Sequence, residues 1–130
     1  MGVTVLLDTH ALIWALSEVE RLSPVARDVI ADPANTVLVS TASAWEIATK
    51  HRLGRLPEAE SIVRGYRRHV AAMGAIELPM TAEHALLAGS LPGPHRDPFD
   101  RMLAAQALIE GVPIVTVDDA MSGFQVTTLW

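Results

Sequence analysis

The sequence contains no cysteine, which excludes disulfides, thiol nucleophiles and cysteine-ligated zinc and leaves a reducing cytoplasm as the expected compartment. No apolar run approaches the roughly 18 residues of a membrane span. No basic segment precedes the first apolar stretch, and Asp8 interrupts that stretch, so no signal peptide is expected. Leu6 stands where a Met1-Gly2 myristoylation signal needs Ser or Thr. Several reaction classes lack their motifs: there is no G-x-S-x-G elbow, no H-E-x-x-H, no Walker loop and no G-x-G-x-x-G. The five histidines (His10, His51, His69, His84 and His95) include no pair at i, i+4. Of these, His10 and His95 are expected near the crevice described below, and the others at the surface or at helix ends. A surplus of positive charge is also missing. The formal charge of −5 argues against holding nucleic acid by bulk attraction. Its distribution says more, because six of the ten Lys and Arg residues (Lys50, Arg52, Arg55, Arg64, Arg67, Arg68) fall between positions 50 and 68. That segment can hold a phosphate backbone while acids elsewhere hold a cation; it reads equally well as a solvated helical face.

What is present is half hydrophobic, in a chain of 130 residues, enough for one domain spanning 1–130 with a substantial core. Strand and helix signals alternate. Val3-Thr4-Val5-Leu6-Leu7 is apolar without alternation, as in a strand covered on both faces of a parallel sheet, and it delivers Asp8-Thr9-His10 into a helix reaching about Leu16. Ser23-Pro24 opens a second helix and Asp32-Pro33 ends it. A second strand, Thr36 to Ser40, leads to a helix through Glu46 that stops near Gly54. Ile62, Tyr66, Val70 and Met73 recur at the spacing of one long amphipathic helix. A third strand over Ala75 to Leu78, a helix capped by Thr81, a loop with Pro92, Gly93 and Pro94, and a helix from Asp97-Pro98 to Glu110 follow. Ile114 to Val117 forms a fourth strand delivering Asp118-Asp119, and Gln125 to Leu129 a fifth. The order implies an α/β domain with a mostly parallel sheet.

In open α/β sheets, chemistry sits beyond the carboxyl ends of the strands, where the strand order reverses. Asp8 and Asp118 each follow a strand, and if those strands are neighbours both carboxylates enter one crevice. Each acid also has a bland explanation as a helix cap or turn former. Glu46 completes the capping-box pattern Ser43-Ala44-Trp45-Glu46. A helix starting at Ser40 or Thr41 instead leaves Glu46 beyond the first turn, free to face the crevice. Asp97 before Pro98 is an N-cap, and Asp100, three residues on, either suits the helix dipole or aims at a bound cation. Two carboxylates about 4 Å apart repel by roughly 1 kcal/mol in water and about 4 at an effective dielectric of 20. A cluster of them calls for a cation, and carboxylate oxygens select hard ions, Mg²⁺ or Mn²⁺.

LLDTHALIWAL, SAWEIATK, HRDPFDRMLAAQAL and IVTVDDAM, in that order over nearly the whole chain, resemble the PIN-domain toxins of bacterial VapBC toxin–antitoxin systems. The resemblance implies a three-layer PIN-like fold: a five-stranded parallel sheet with helices on both faces and the first strand central beside the fourth. It implies a Mg²⁺-dependent endoribonuclease in which Asp8, Glu46, Asp100 and Asp118 are the catalytic and metal-binding acids, Asp118 lying in T-x-D with Thr116. Asp119 is an alternative to Asp118, and Thr9 or Ser40 is placed to orient the attacking water. Cleavage leaving a 5′-phosphate, a homodimer and a small VapB-type antitoxin are implied as well. The rivals are a non-catalytic α/β binding module, whose acids are caps, and a haloacid-dehalogenase-like phosphohydrolase, which needs an acid where His10 stands.

Overall fold

A computed structural model describes residues 2–130; Met1, half of the Met1-Gly2 signal considered above, lies outside them. Strand β1 (Thr4–Leu7) is the centre of the sheet because its side chains serve two cores at once. Val5 and Leu7 pack into one apolar cluster and Leu6 into the other, the period-two alternation of a strand covered on both faces. The other strands are β2 (Thr36–Ser40), β3 (Ile76–Leu78), β4 (Ile114–Val115) and β5 (Thr128–Leu129). All pairings are parallel and the order is β3-β2-β1-β4-β5. In register, Leu7 lies opposite Val39 on one side and Val115 on the other. The chain builds outward from β1 to β3, then returns to the opposite side for β4. The point of reversal is therefore between β1 and β4.

Helices α1 (Thr9–Ser17), α2 (Pro24–Ala31), α3 (Thr41–Arg52), α4 (Glu60–Arg64) and α5 (Tyr66–Ala72) bring Leu12, Ile13, Ala26, Ile47, Ile62 and Val70 to the Val5 and Leu7 face. Helices α6 (Ala82–Ser90) and α7 (Pro98–Glu110) bring Ala88, Leu103, Ala104 and Ala107 to the Leu6 face. This is the expected three-layer arrangement.

Three expectations need correction. The single long helix over Ile62 to Met73 is two helices, interrupted at Gly65, whose ψ of 30° leaves the helical region. Gly65 is held close to α5: a Cβ there would lie 2.8 Å from an Arg68 side-chain nitrogen. The apolar stripe survives the break, since Ile62 and Val70 are both buried. His84, expected at the surface or a helix end, is at the N-terminal end of α6, and is buried there rather than exposed. It closes a reciprocal cap with Thr81, and its Nε2 lies 3.2 Å from Glu110. Finally, β4 and β5 are shorter than the apolar runs suggest. Val117 turns to solvent, and a 3₁₀ turn over Asp119–Phe124 with Gln125 in the left-handed region occupies the start of the expected fifth strand.

Candidate active site

Asp8 is where β1 becomes α1. Its amide donates to the Val115 carbonyl at 3.1 Å, continuing the β1–β4 pairing one residue past the strand. Its Oδ1 accepts from the Ala11 amide at 2.7 Å, so the carboxylate caps α1. Its Oδ2 accepts from the Thr116 hydroxyl at 2.5 Å. The cap and the site are thus compatible, one oxygen serving each. Asp8 is only 6% exposed. Burial pushes its pKa above the ordinary carboxylate value of 3.8, against the lowering effect of the Thr116 and Ala11 hydrogen bonds, and the charge of Glu46 pushes the same way as burial.

Glu46 is settled by where α3 begins. The Ser40 hydroxyl accepts from the Ala42 amide and caps the helix, so Glu46 falls in the second turn and the capping box with Ser43 does not form. Its side chain is buried, and both oxygens are held from the protein side. The Thr9 hydroxyl, which also lies 3.0 Å from that of Ser43, donates to Oε1 at 2.5 Å. The Lys50 ammonium, one turn along the helix, pairs with Oε2. A buried carboxylate without such a partner is strongly destabilising, and Lys50 supplies the compensating charge.

The N-terminus of α7 positions the third acid. Asp97 caps it, accepting from the amides of Phe99 at 2.9 Å and Asp100 at 3.2 Å. This leaves the Asp100 side chain for the crevice, where its Oδ2 lies 2.8 Å from His95 Nε2. Burial raises the Asp100 pKa, the hydrogen bond from His95 lowers it, and the charges of Asp97 and Glu46 raise it further. One ligand atom each from His95, Asp100 and Asp118 lies within 4.8 Å of the others. These three side chains are the ones among the described residues that could hold a divalent cation. Asp118 is tied back to Asp8 through Thr116, whose hydroxyl donates to Asp8 and accepts from the Asp118 amide at 3.0 Å.

The structure therefore joins Asp8 to Asp118 through Thr116, sets Asp100 against His95 beside Asp118, and places Glu46 within electrostatic reach of both Asp8 and Asp100. The group that could hold a cation comprises His95, Asp100 and Asp118; Asp8 and Glu46 lie outside it, Asp8 linked to it through Thr116 and Glu46 only by its charge. Among the described residues, Asp119 is outside the group that could hold an ion, and Ser40 is engaged as a cap. His10 packs against Trp14 and is close enough to Asp8 for its charge to lower the Asp8 pKa. His95 is the member that spacing did not single out as part of the cluster. The signal was its position directly after the Pro92-Gly93-Pro94 turn and five residues before Asp100.

The basic segment is less unified than its sequence suggests. Lys50 turns inward to Glu46, and Arg64 pairs with Glu60 at 3.1 Å. Arg52, Arg55, Arg67 and Arg68 are exposed. Arg52 ends α3, about 16 Å along the axis from the end that meets the crevice.

The PIN domain family matches residues 5–125. The chain is 33% identical to Ribonuclease VapC22 of Mycobacterium tuberculosis over 118 residues, covering 88% of this chain and 87% of that protein. Its fold is similar to a chain in the crystal structure of VapBC2 from Rickettsia felis bound to a DNA fragment from their promoter, with a TM-score of 0.68 at 13% identity over 97% of both chains. It is also similar to a chain of FitAcB from Neisseria gonorrhoeae, with a TM-score of 0.55 at 19% identity, covering 97% of this chain and 96% of that one.

Proposed function

The chain belongs to the PIN-domain family, among the VapC ribonucleases of toxin–antitoxin systems, and on that premise we propose that it hydrolyses RNA phosphodiesters with Mg²⁺ held by Asp8, Glu46, Asp100 and Asp118. The observation that carries this reading is the approach of one ligand atom each of Asp100, Asp118 and His95 to within 4.8 Å of one another; Asp8 is linked to the Asp118 backbone through the Thr116 hydroxyl. When bound, the ion supplies Lewis acidity at the phosphate and a water of lowered pKa. Mn²⁺, which takes the same oxygen ligands, substitutes for it.

Asp8, Asp100 and Asp118 supply the principal ligands. Glu46, fixed by Thr9 and Lys50, completes the negative field that attracts the cation and polarises the attacking water. Thr116 holds Asp8 and Asp118 in register. His95 keeps one oxygen of Asp100 oriented toward the crevice. Attack in line at phosphorus expels the 3′ oxygen and leaves a 5′-phosphate.

The partners belong to the same reading. A VapB-type antitoxin is supported by the likeness to chains from VapBC2 and FitAcB. A homodimer is supported by apolar side chains left at the surface, among them Trp45, 56% exposed against Phe99, and Leu86, 76% exposed. The cytoplasm is the compartment proposed. A non-catalytic module explains Asp8, Asp97 and Asp118 as caps, but it does not account for the approach of the Asp100 and Asp118 carboxylates to each other and to His95.

The test is cleavage of single-stranded RNA by the wild type and by Asp100→Ala, with Mg²⁺ and with chelator, and mapping of the ends. The reading expects cleavage only by the wild type with metal, leaving 5′-phosphate ends. Equal cutting by both proteins, or cutting that survives chelation, refutes it.

A further inference from the structure

We propose that the apolar pocket beside His95 receives one unpaired nucleobase of the substrate strand, next to the phosphodiester addressed by the carboxylates; this rests on the nuclease reading above. The pocket encloses about 380 Å³ between Pro92, Pro94 and His95 on one side and Ala120, Gly123 and Phe124 on the other. That volume is at the lower end of the range for small-molecule sites.

Both walls are fixed before any ligand arrives. The loop wall is clamped by Arg101, whose guanidinium donates to the carbonyls of Ala88 and His95, each at 2.9 Å, and to that of Leu91. The opposite wall is the 3₁₀ turn, capped by Asp118 and rooted in the core by Met121 and Phe124. Two rings border the space: the part-exposed His95 ring offers the face for stacking, and it is braced from behind by the buried Phe124 ring, tilted against it with centroids 5.6 Å apart. Flat, apolar and ringed walls are what an unstacked base seeks, because every base presents a π-face.

His95 connects this pocket to the reacting group. The same side chain lines the pocket, bonds Asp100 and completes the group with Asp118. A second hollow shares Gly93, Pro94 and His95 and is bounded by Arg96 and Arg101. Arg101 is occupied by carbonyls, so the exposed Arg96 supplies the charge for that nucleotide's phosphate. A paired base inside a duplex cannot enter such a pocket, which makes single-stranded RNA the substrate class.

Gly123 allows a direct test. A Cβ built there meets nothing within 4 Å, so Gly123→Leu starts a side chain from the pocket wall without a backbone clash and takes up part of the space, and Ala120→Leu is the second plug. Magnesium-dependent cleavage is measured on a short single-stranded RNA, intact and with an abasic site at each position in turn. For the wild type, the abasic site at one position lowers kcat/KM by about 5- to 150-fold, the worth of one stacked base. Gly123→Leu shows that loss on intact RNA and no further loss with the abasic strand, while its melting midpoint and the rise that Mg²⁺ produces stay unchanged. The proposal is overturned if both plugged variants cut intact RNA as the wild type does, or if their loss is the same with every strand, abasic or intact. It is also overturned if the plugs leave cleavage intact and abolish inhibition by the cognate antitoxin, since the pocket then belongs to a protein partner. Failure of the wild type to cut any strand with Mg²⁺ refutes the nuclease reading instead. Fluorescence anisotropy of the same labelled RNA then decides the pocket on binding alone, supporting it if both plugs and the abasic site weaken binding non-additively and overturning it if they do not.

Discussion

Replacing Asp8 by asparagine should stabilise the metal-free protein and at the same time abolish cleavage. The amide oxygen keeps the cap on Ala11, so α1 retains its first-turn hydrogen bond. Loss of the charge-assisted bond from Thr116 forfeits about 1.5–3 kcal/mol. Against that stands the cost of burying the Asp8 charge, the largest influence on its pKa, with the field of Glu46 adding least. The raised pKa of Asp8, caused chiefly by burial, decides the sign: the neutral form is the better tenant of this position. A net gain of up to about 1–2 kcal/mol is expected, or a rise of roughly 3–10 °C in the melting midpoint for a chain of this size. With Mg²⁺ at a hundred times its dissociation constant the order reverses, because the wild type gains about 2.7 kcal/mol that the variant forgoes. Thermal melts of both proteins in chelator and in Mg²⁺ read the crossing. If Asp8 were only a cap, asparagine would be neutral or destabilising in chelator and Mg²⁺ would act on neither protein; that result refutes the reasoning.

Asp8 and Asp100 both bind protons more tightly when folded, so the stability of the metal-free protein falls as pH rises from 3.8 through their raised folded values. Urea midpoints taken at stepped pH should decline across that window in the wild type and much less in an Asp8→Asn, Asp100→Asn double variant. Lys50→Met strands the Glu46 carboxylate and should cost about 2–3 kcal/mol. Glu46→Gln in the same chain should restore most of it, as denaturant titration of the double-mutant cycle reads. Arg101→Lys should fail to rescue the loop, because one ammonium cannot reach the carbonyls of Ala88, Leu91 and His95 together. Faster amide exchange over residues 91–97 and a drop in cleavage of tenfold or more are the expected readouts, and wild-type exchange would contradict the clamp.

The strands and their terminal acids were legible in the sequence because the patterns that place them are local. An unalternating apolar run followed by Asp describes Val5 to Asp8 without reference to the rest of the chain, and the same holds for Ile114 to Asp118. Glu46 was ambiguous for the opposite reason. Its role depends on which of several hydroxyls, Ser40 or Ser43, starts the helix, and neighbouring strand geometry decides that. The burial of His84 was not legible because it follows from the packing of α6 against α7, where Glu110 comes to meet it from 26 residues away. The basic segment misled by proximity in sequence. Helical spacing scatters Arg52, Arg64 and Arg67 over separate elements, and the i, i+4 relation spends Lys50 on Glu46. His95 and Arg101 gained their parts only when the Pro92–Pro94 loop folded back over the start of α7.

Anomalous diffraction from crystals soaked in Mn²⁺ bears most directly on the claim that distant acids converge around one divalent cation. A peak at inner-sphere distance from the carboxylates of Asp8, Asp100 and Asp118 is the predicted result. Their empty crevice in a crystal that binds manganese elsewhere would contradict the account.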